Sequence, residues 1–172
     1  MSTAVAPQPI AGVSPSQERA IEVVYPSIAS LGSGRLIGSI LESIPASIGG
    51  VKLSHMLFAL PLAPLGLALY LVRGIFGLRY AINSRSVAIL NSGGRVERKV
   101  SLSDVRDIVV DQQPGQEFYH AADVVLVGTD GSELMRMAGI SRPERVRRLL
   151  IDSRDAYVQN AEALTAIGKR SS

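Results

Sequence analysis

The chain contains no cysteine, which removes disulfides, thiolate nucleophiles and cysteine-ligated zinc or iron–sulfur centres together and fits a reducing cytoplasm. Aromatic residues make up only 5% and charged residues 19% of its 172 residues. With a positive mean hydropathy, that scarcity points toward membrane association rather than free solubility. Histidine occurs twice, at His55 and His120. No serine, histidine and carboxylate order assembles from them, so neither is assigned a catalytic role and no enzyme activity is expected. Positive charge is also scarce where a nucleic acid would need it. From Leu78 to Tyr157 there are 12 Arg and Lys against 11 Asp and Glu, a near balance that disfavours nucleic-acid binding.

Asp104, Asp107 and Asp111 are hard oxygen ligands at close spacing. They lack the glycine and closing glutamate of a calcium loop, and Arg106 sits among them, so they read as solvent-facing strand and turn carboxylates. No metal or cofactor is expected.

What the chain does have is one long apolar run. Met56 to Val72 is 17 residues without a charge, and after it long apolar stretches give way to short alternating segments. Residues 1–20 hold three prolines and no basic region leading into an apolar one, which predicts a flexible tail rather than a cleaved signal peptide. Residues 21–54 form an amphipathic, interfacial segment. Leu36, Ile37, Ile40, Leu41, Ile44 and Ile48 recur at helical spacing there, while Arg35 and Glu42 oppose burial at bilayer depth. Gly34 and Gly38 make a GxxxG spacing, read either as a helix contact or as simple flexibility.

Residues 55–77 are the predicted membrane anchor. The uncharged run reaches about 26 Å at the helical rise, and Lys52 and Arg73 can snorkel at its ends. Pro61 and Pro64 leave a kinked span and a re-entrant hairpin both open. Arg73, Arg79 and Arg85 outnumber Lys52, which places the C-terminal part in the cytoplasm by the positive-inside rule.

Residues 78–163 read as a β-rich domain closed by a helix, an α+β organisation. Strands are predicted over 78–83 and 86–90, then near 96–102, 105–110, 124–127 and 134–138. Turns fall at Asn91-Ser92-Gly93-Gly94, Pro114-Gly115 and Asp130-Gly131. Ser141-Arg142-Pro143-Glu144 fits a capping box that starts a helix at Arg142. Its stripe of Val146, Leu149, Leu150 and Tyr157 faces the core, and Arg147 and Arg154 face mostly away. Residues 164–172 are predicted to be a frayed tail.

Arg79-Tyr80-Ala81-Ile82-Asn83 followed by Arg85 to Leu90 is similar to the "YxxTxxRxxxxxG" opening of the bacterial pleckstrin-homology-like domain family of small membrane proteins. Val100 to Ile108 is similar to that family's "xIPLxxIxxI" strand. The resemblance covers about Leu78 to Tyr157, and Tyr25-Pro26-Ser27 is similar to the family's N-terminal approach. It implies a partly open PH-like antiparallel β-barrel or sandwich of six or seven strands, plugged at one end by the C-terminal helix, at the cytoplasmic face of a bacterial inner membrane. It brings no catalytic residues. Members often carry two spanning segments, whereas the first apolar segment here holds Arg35 and Glu42. The lysine and arginine cluster of phosphoinositide-binding relatives is reduced to Arg79 and Arg85, so phosphoinositide recognition is not implied.

Two surfaces are candidate sites. Arg73, Arg79, Arg85, Arg95, Arg98 and Lys99 could form a basic rim facing anionic membrane lipid, or mark topology and solvate strand ends. Gln116, Phe118 and Tyr119 could present a loop to an unidentified protein partner, or tuck back over the core. The reading is also compatible with a homo-oligomer.

Overall fold

The computed structural model describes the backbone of residues 18–170 and the side chains of residues 18–163. Most of the predicted N-terminal tail, residues 1–17, lies outside the described residues, as do residues 171–172. The described elements are, in chain order, β1 (Ala20–Val24), α1 (Gly32–Glu42), β2 (Ser47–Ile48), β3 (Val51–Lys52), α2 (Leu53–Phe76), β4 (Arg79–Asn83), β5 (Ser86–Leu90), β6 (Val96–Ser101), β7 (Val105–Asp111), β8 (Ala121–Gly128), β9 (Glu133–Ser141) and α3 (Pro143–Arg170).

The fold is α+β with three antiparallel sheets, ordered β1-β4-β5-β6, β2-β3 and β7-β8-β9. The first and third share one apolar core. Tyr80, Ile82 and Val87 come from one sheet and Ile108, Val124, Leu126, Met135 and Met137 from the other, and Val146 and Leu150 of α3 close it. Period-2 alternation makes this assembly possible, since Tyr80 and Ile82 point inward on β4 while Arg79 and Asn83 stay half-exposed. β8 lies between two neighbours and is buried along almost its whole length.

The sheets do not close into a barrel, in keeping with the partly open form expected, since β6 and β7 follow each other in sequence yet belong to different sheets. A 3-10 turn at Leu102–Asp104 redirects the chain between them, with the Ser101 hydroxyl accepting from Ser103 N–H and Leu102 fully buried. Several expectations differ from the structure. The predicted domain supplies six strands, and a further one arrives from residues 20–24, at the junction of the predicted tail and interfacial segment. Val24 pairs with Tyr80 and Val23 with Ala81.

The start of α3 also differs. Arg142 holds a left-handed φ of 54°, Ser141 ends β9 opposite Ala121, and the helix begins at Pro143, whose missing N–H costs nothing in a first turn. The helix then runs to Arg170, past the predicted end at 163. Arg147 and Arg154 do not simply face solvent. Arg147 Nε donates to Ile108 O and Arg154 Nη1 to Arg106 O, each at 2.8 Å. Both carbonyls lie on β7, an edge strand, so α3 covers an edge that would otherwise present unpaired backbone groups.

α2 is one continuous helix with Pro61 and Pro64 inside it, which removes the hairpin alternative. Its 24 residues span about 36 Å.

Candidate functional site: the apolar helix and the arginine cleft at its end

α2 is apolar on nearly every face, and most of its surface stays open. Leu60 is 83% exposed, Phe76 72% and Tyr70 67%. No residue of its most apolar stretch is buried, which separates it from a core helix, where such side chains would be covered. Half-buried positions recur at Phe58, Leu62, Gly66, Leu69 and Arg73, a stripe at helical spacing.

α1 packs beside α2, and bonds at one end fix the pair. Leu53 N–H donates to Ala46 O at 2.8 Å, Ser54 Oγ donates to Leu41 O, and Lys52 pairs with Glu42. α1 buries Gly34, Ile37, Gly38 and Leu41, whereas Leu36 of the predicted stripe is exposed, and Ile44 and Ile48 fall beyond the helix end at Glu42, Ile48 in β2.

Gly34 and Gly38 do mark close contacts, although their partners are the Ile28 carbonyl and a loop rather than a second apolar helix. A Cβ at Gly38 would lie 2.0 Å from Gly115 O, and one at Gly115, where φ is +82°, would lie 1.9 Å from Arg35 O. Backbone thus meets backbone, and only glycine fits.

That loop is the predicted partner loop, and its side chains turn inward. Gln116 is fully buried, donates to Asp123 Oδ1 at 2.6 Å and accepts from Gln113 N–H. The Tyr119 hydroxyl donates to Gly34 O at 3.0 Å, and burial raises its pKa. Phe118 packs edge-on between His55, at 5.3 Å, and Tyr119, at 4.9 Å. The three residues therefore clasp both helices to the β-domain and do not present a free loop.

Behind the clasp, Asp123 also accepts from Gly139 N–H at 2.9 Å and pairs with Arg136 at 3.3 Å. Arg136 further binds Asp111 and Glu133, each at 2.7 Å. Its bond draws the Asp111 pKa down. Asp107 spends a carboxylate oxygen on Ile108 N–H and Asp104 accepts from Ser103. Among the described residues no group of three His, Asp or Glu side chains is arranged to hold a metal ion.

The six predicted basic residues do not share one face. Arg79 pairs with Leu90, which also pairs with Val96, so Arg79 and Arg95 sit at the end of the sheet where α2 exits. Arg85 lies in the turn at the opposite end, where its carbonyl accepts from Leu102 N–H. Arg98 and Lys99 are opposite Ile89 and Ala88, on alternate faces of β6, and Lys99 is paired with Glu18.

Arg73 and Arg79 do converge. Both line a cleft of about 250 Å³ at the C-terminal end of α2, with Tyr25, Pro26 and Tyr70. Arg79 stacks over the Tyr25 ring at 5.5 Å. Arg73 Nη2 donates to Leu78 O at 3.3 Å, while its buried Nε has no hydrogen-bond partner. No carboxylate lines the cleft, so two guanidinium groups face it uncompensated, an arrangement suited to an anion. Sequence reasoning missed Tyr25 and Tyr70 here. The signal available was the aromatic belt, and it applies to Tyr70, beside Arg73 at the end of the apolar run, whereas Tyr25 reaches the cleft only through the fold.

Comparison with family models, with curated proteins and with solved structures finds no match to this chain.

Proposed function

We propose that this protein is a membrane-anchored, non-catalytic module that holds a PH-like antiparallel sandwich at the cytoplasmic face of a bacterial inner membrane and displays it to protein partners. One observation carries the reading. A helix with 17 consecutive uncharged residues leaves its leucines uncovered while the sheets beside it bury a complete core of their own. Exposed apolar surface on this scale marks a lipid or protein contact, and its full-circle apolar character favours lipid.

Two sheets around a common core with one helix across them also support the PH-like description, as do the strand positions on which the sequence resemblance rests. Interior polar groups support a structural role, since Asp123, Gln116 and Arg136 are occupied in bonds that join strands and loop. With the Gln116 to Tyr119 loop clasped inward, the surface left for a protein partner is an exposed sheet edge such as β6, whose Val96, Glu97, Arg98 and Lys99 are exposed.

A second reading is favoured by the cleft. Arg73 and Arg79 would recognise an anionic lipid headgroup, making the module a lipid sensor as well as an anchor.

The test is flotation of the full chain with phosphatidylcholine vesicles, with and without phosphatidylglycerol. Flotation with both compositions supports anchoring. A salt-sensitive gain with phosphatidylglycerol that Arg73→Gln with Arg79→Gln abolishes supports the lipid-sensing reading. Protein left soluble and monodisperse without detergent rejects the anchor.

A further inference from the structure

We infer that α2 lies in the plane of a single leaflet, as a monotopic anchor, and does not cross the bilayer. The inference rests on the anchor reading above and adds the geometry of attachment.

The observation behind it is that the same β-domain holds both ends of α2. At the C-terminal end only Gly77 and Leu78 separate the helix from β4, Gly77 N–H donates to Arg73 O at 2.8 Å, and Arg73 binds Leu78 O. Near the N-terminal end, His55 packs on Phe118 at 5.3 Å. There α1 is locked to the helix by the Leu41 and Ala46 carbonyls and by the Glu42–Lys52 pair. α1 in turn presses backbone against backbone on Gly115 and accepts the Tyr119 hydroxyl at Gly34. Residues 55 and 73, about 27 Å apart along the helix, are therefore both tied to the same β-domain. A crossing helix would carry the Gln112 to Tyr119 loop, with Gln112 and Glu117 exposed on it, through the hydrocarbon to the far surface, where these polar groups and the adjoining β-sheet could not be hydrated on the way.

The faces of the helix agree. One stripe of the helix, Phe58, Leu62, Gly66, Leu69 and Arg73, is half-buried. On the opposite side, Leu57, Leu60, Leu67, Leu71 and Ile75 are each at least 55% exposed. An isolated in-plane helix needs a polar face toward water, and here α1 and the domain take that place. Charge is confined to the two ends, at Lys52 and Arg73, both at headgroup depth when the helix lies flat. A helix about 10 Å across fits within one leaflet.

The chain has no cysteine and no tryptophan, so single probes report cleanly. Ser47→Cys, in the exposed strand β2, and Ser92→Cys, in the exposed turn after β5, place thiols near the two ends of α2 in the full-length protein. A membrane-impermeant maleimide applied to sealed spheroplasts and to inverted vesicles is expected to label both from the cytoplasmic side alone. Labelling from opposite sides overturns the inference while leaving the anchor intact. Leu57→Trp, Leu67→Trp and Ile75→Trp in vesicles carrying bromine at graded acyl depths are expected to quench alike, at one shallow depth. A profile deepest at position 67 also overturns it. Recovery of the protein from the supernatant as a dimer with the leucines covered rejects the anchor itself, and with it the in-plane geometry.

Discussion

The Tyr119 hydroxyl donates to the Gly34 carbonyl oxygen at 3.0 Å, joining a loop of the β-domain to a helix 85 positions earlier in the chain. Gly38 lies one turn further along α1 with its Cα against Gly115 O and the Tyr119 ring. Gly38→Ala forces the helix off the loop, with an expected loss of about 1–3 kcal/mol, whereas Gly66→Ala, with nothing within 4 Å of its added Cβ, is expected to cost nothing. Tyr119→Phe removes the bond alone and is expected to cost about 1 kcal/mol. Thermal melts of the detergent-solubilised variants decide this, and equal melting of the two glycine variants would mean that the clasp does not form.

α3 contributes one fully buried leucine to the shared core and an exposed valine two turns on. Leu150→Ala is expected to destabilise by about 2–5 kcal/mol, because a cavity opens where Leu150 has no solvent exposure. Val158→Ala, at a 40% exposed site, is expected to change stability by less than about 0.5 kcal/mol. Chemical denaturation of both variants provides the comparison.

Arg136 holds the Asp111 carboxyl below its ordinary range, and a bond from Gln113 adds to the effect. A depressed carboxylate stabilises the folded state above its unfolded pKa of about 4, and that contribution fades as pH falls through the lower folded value. Melting temperature is thus expected to drop on acidification below about pH 4, with a shallower slope in Asp111→Asn. Parallel slopes in wild type and variant would falsify the assignment of this linkage to Asp111.

Leu67 is 60% exposed near the middle of α2. Leu67→Asp puts a charge where lipid is proposed, at about 2.5–3.5 kcal/mol on insertion scales if the site is deep and less at an interface. The expected outcome is a shift of the full chain from the membrane pellet to the wash, while Arg98→Gln, on the exposed face of β6, stays in the pellet. An unchanged distribution for Leu67→Asp would show that this face does not meet lipid.

The strands were legible because local chemistry writes them. Asn83-Ser84-Arg85 and Asp130-Gly131 fall in the turns that join β4 to β5 and β8 to β9, and Gly131 takes the positive φ of 81° that its residue type permits. The same local rules misled at Ser141, where capping chemistry was present but the residue was already paired in β9 with Ala121. At β1 they show a short β-branched run from Ile21, but its place beside β4 depends on a partner some 60 residues away. At the candidate site, Arg73 and Arg79 were named from the sequence together with four other cations, and only three-dimensional register separated the two that share a cleft from the others.

By itself the sequence determined the apolar character of residues 56–72, the alternation that makes half-buried strands, and the lack of thiol chemistry, since each is a property of residue type and near-neighbour spacing. Tertiary structure alone decided that the sheets stay open, that Gln116 and Tyr119 face inward, and that one domain grips both ends of α2. Those outcomes depend on which distant backbones come within a few ångströms of one another. Contacts such as Gly38 against Gly115 leave no periodic trace in the chain that makes them.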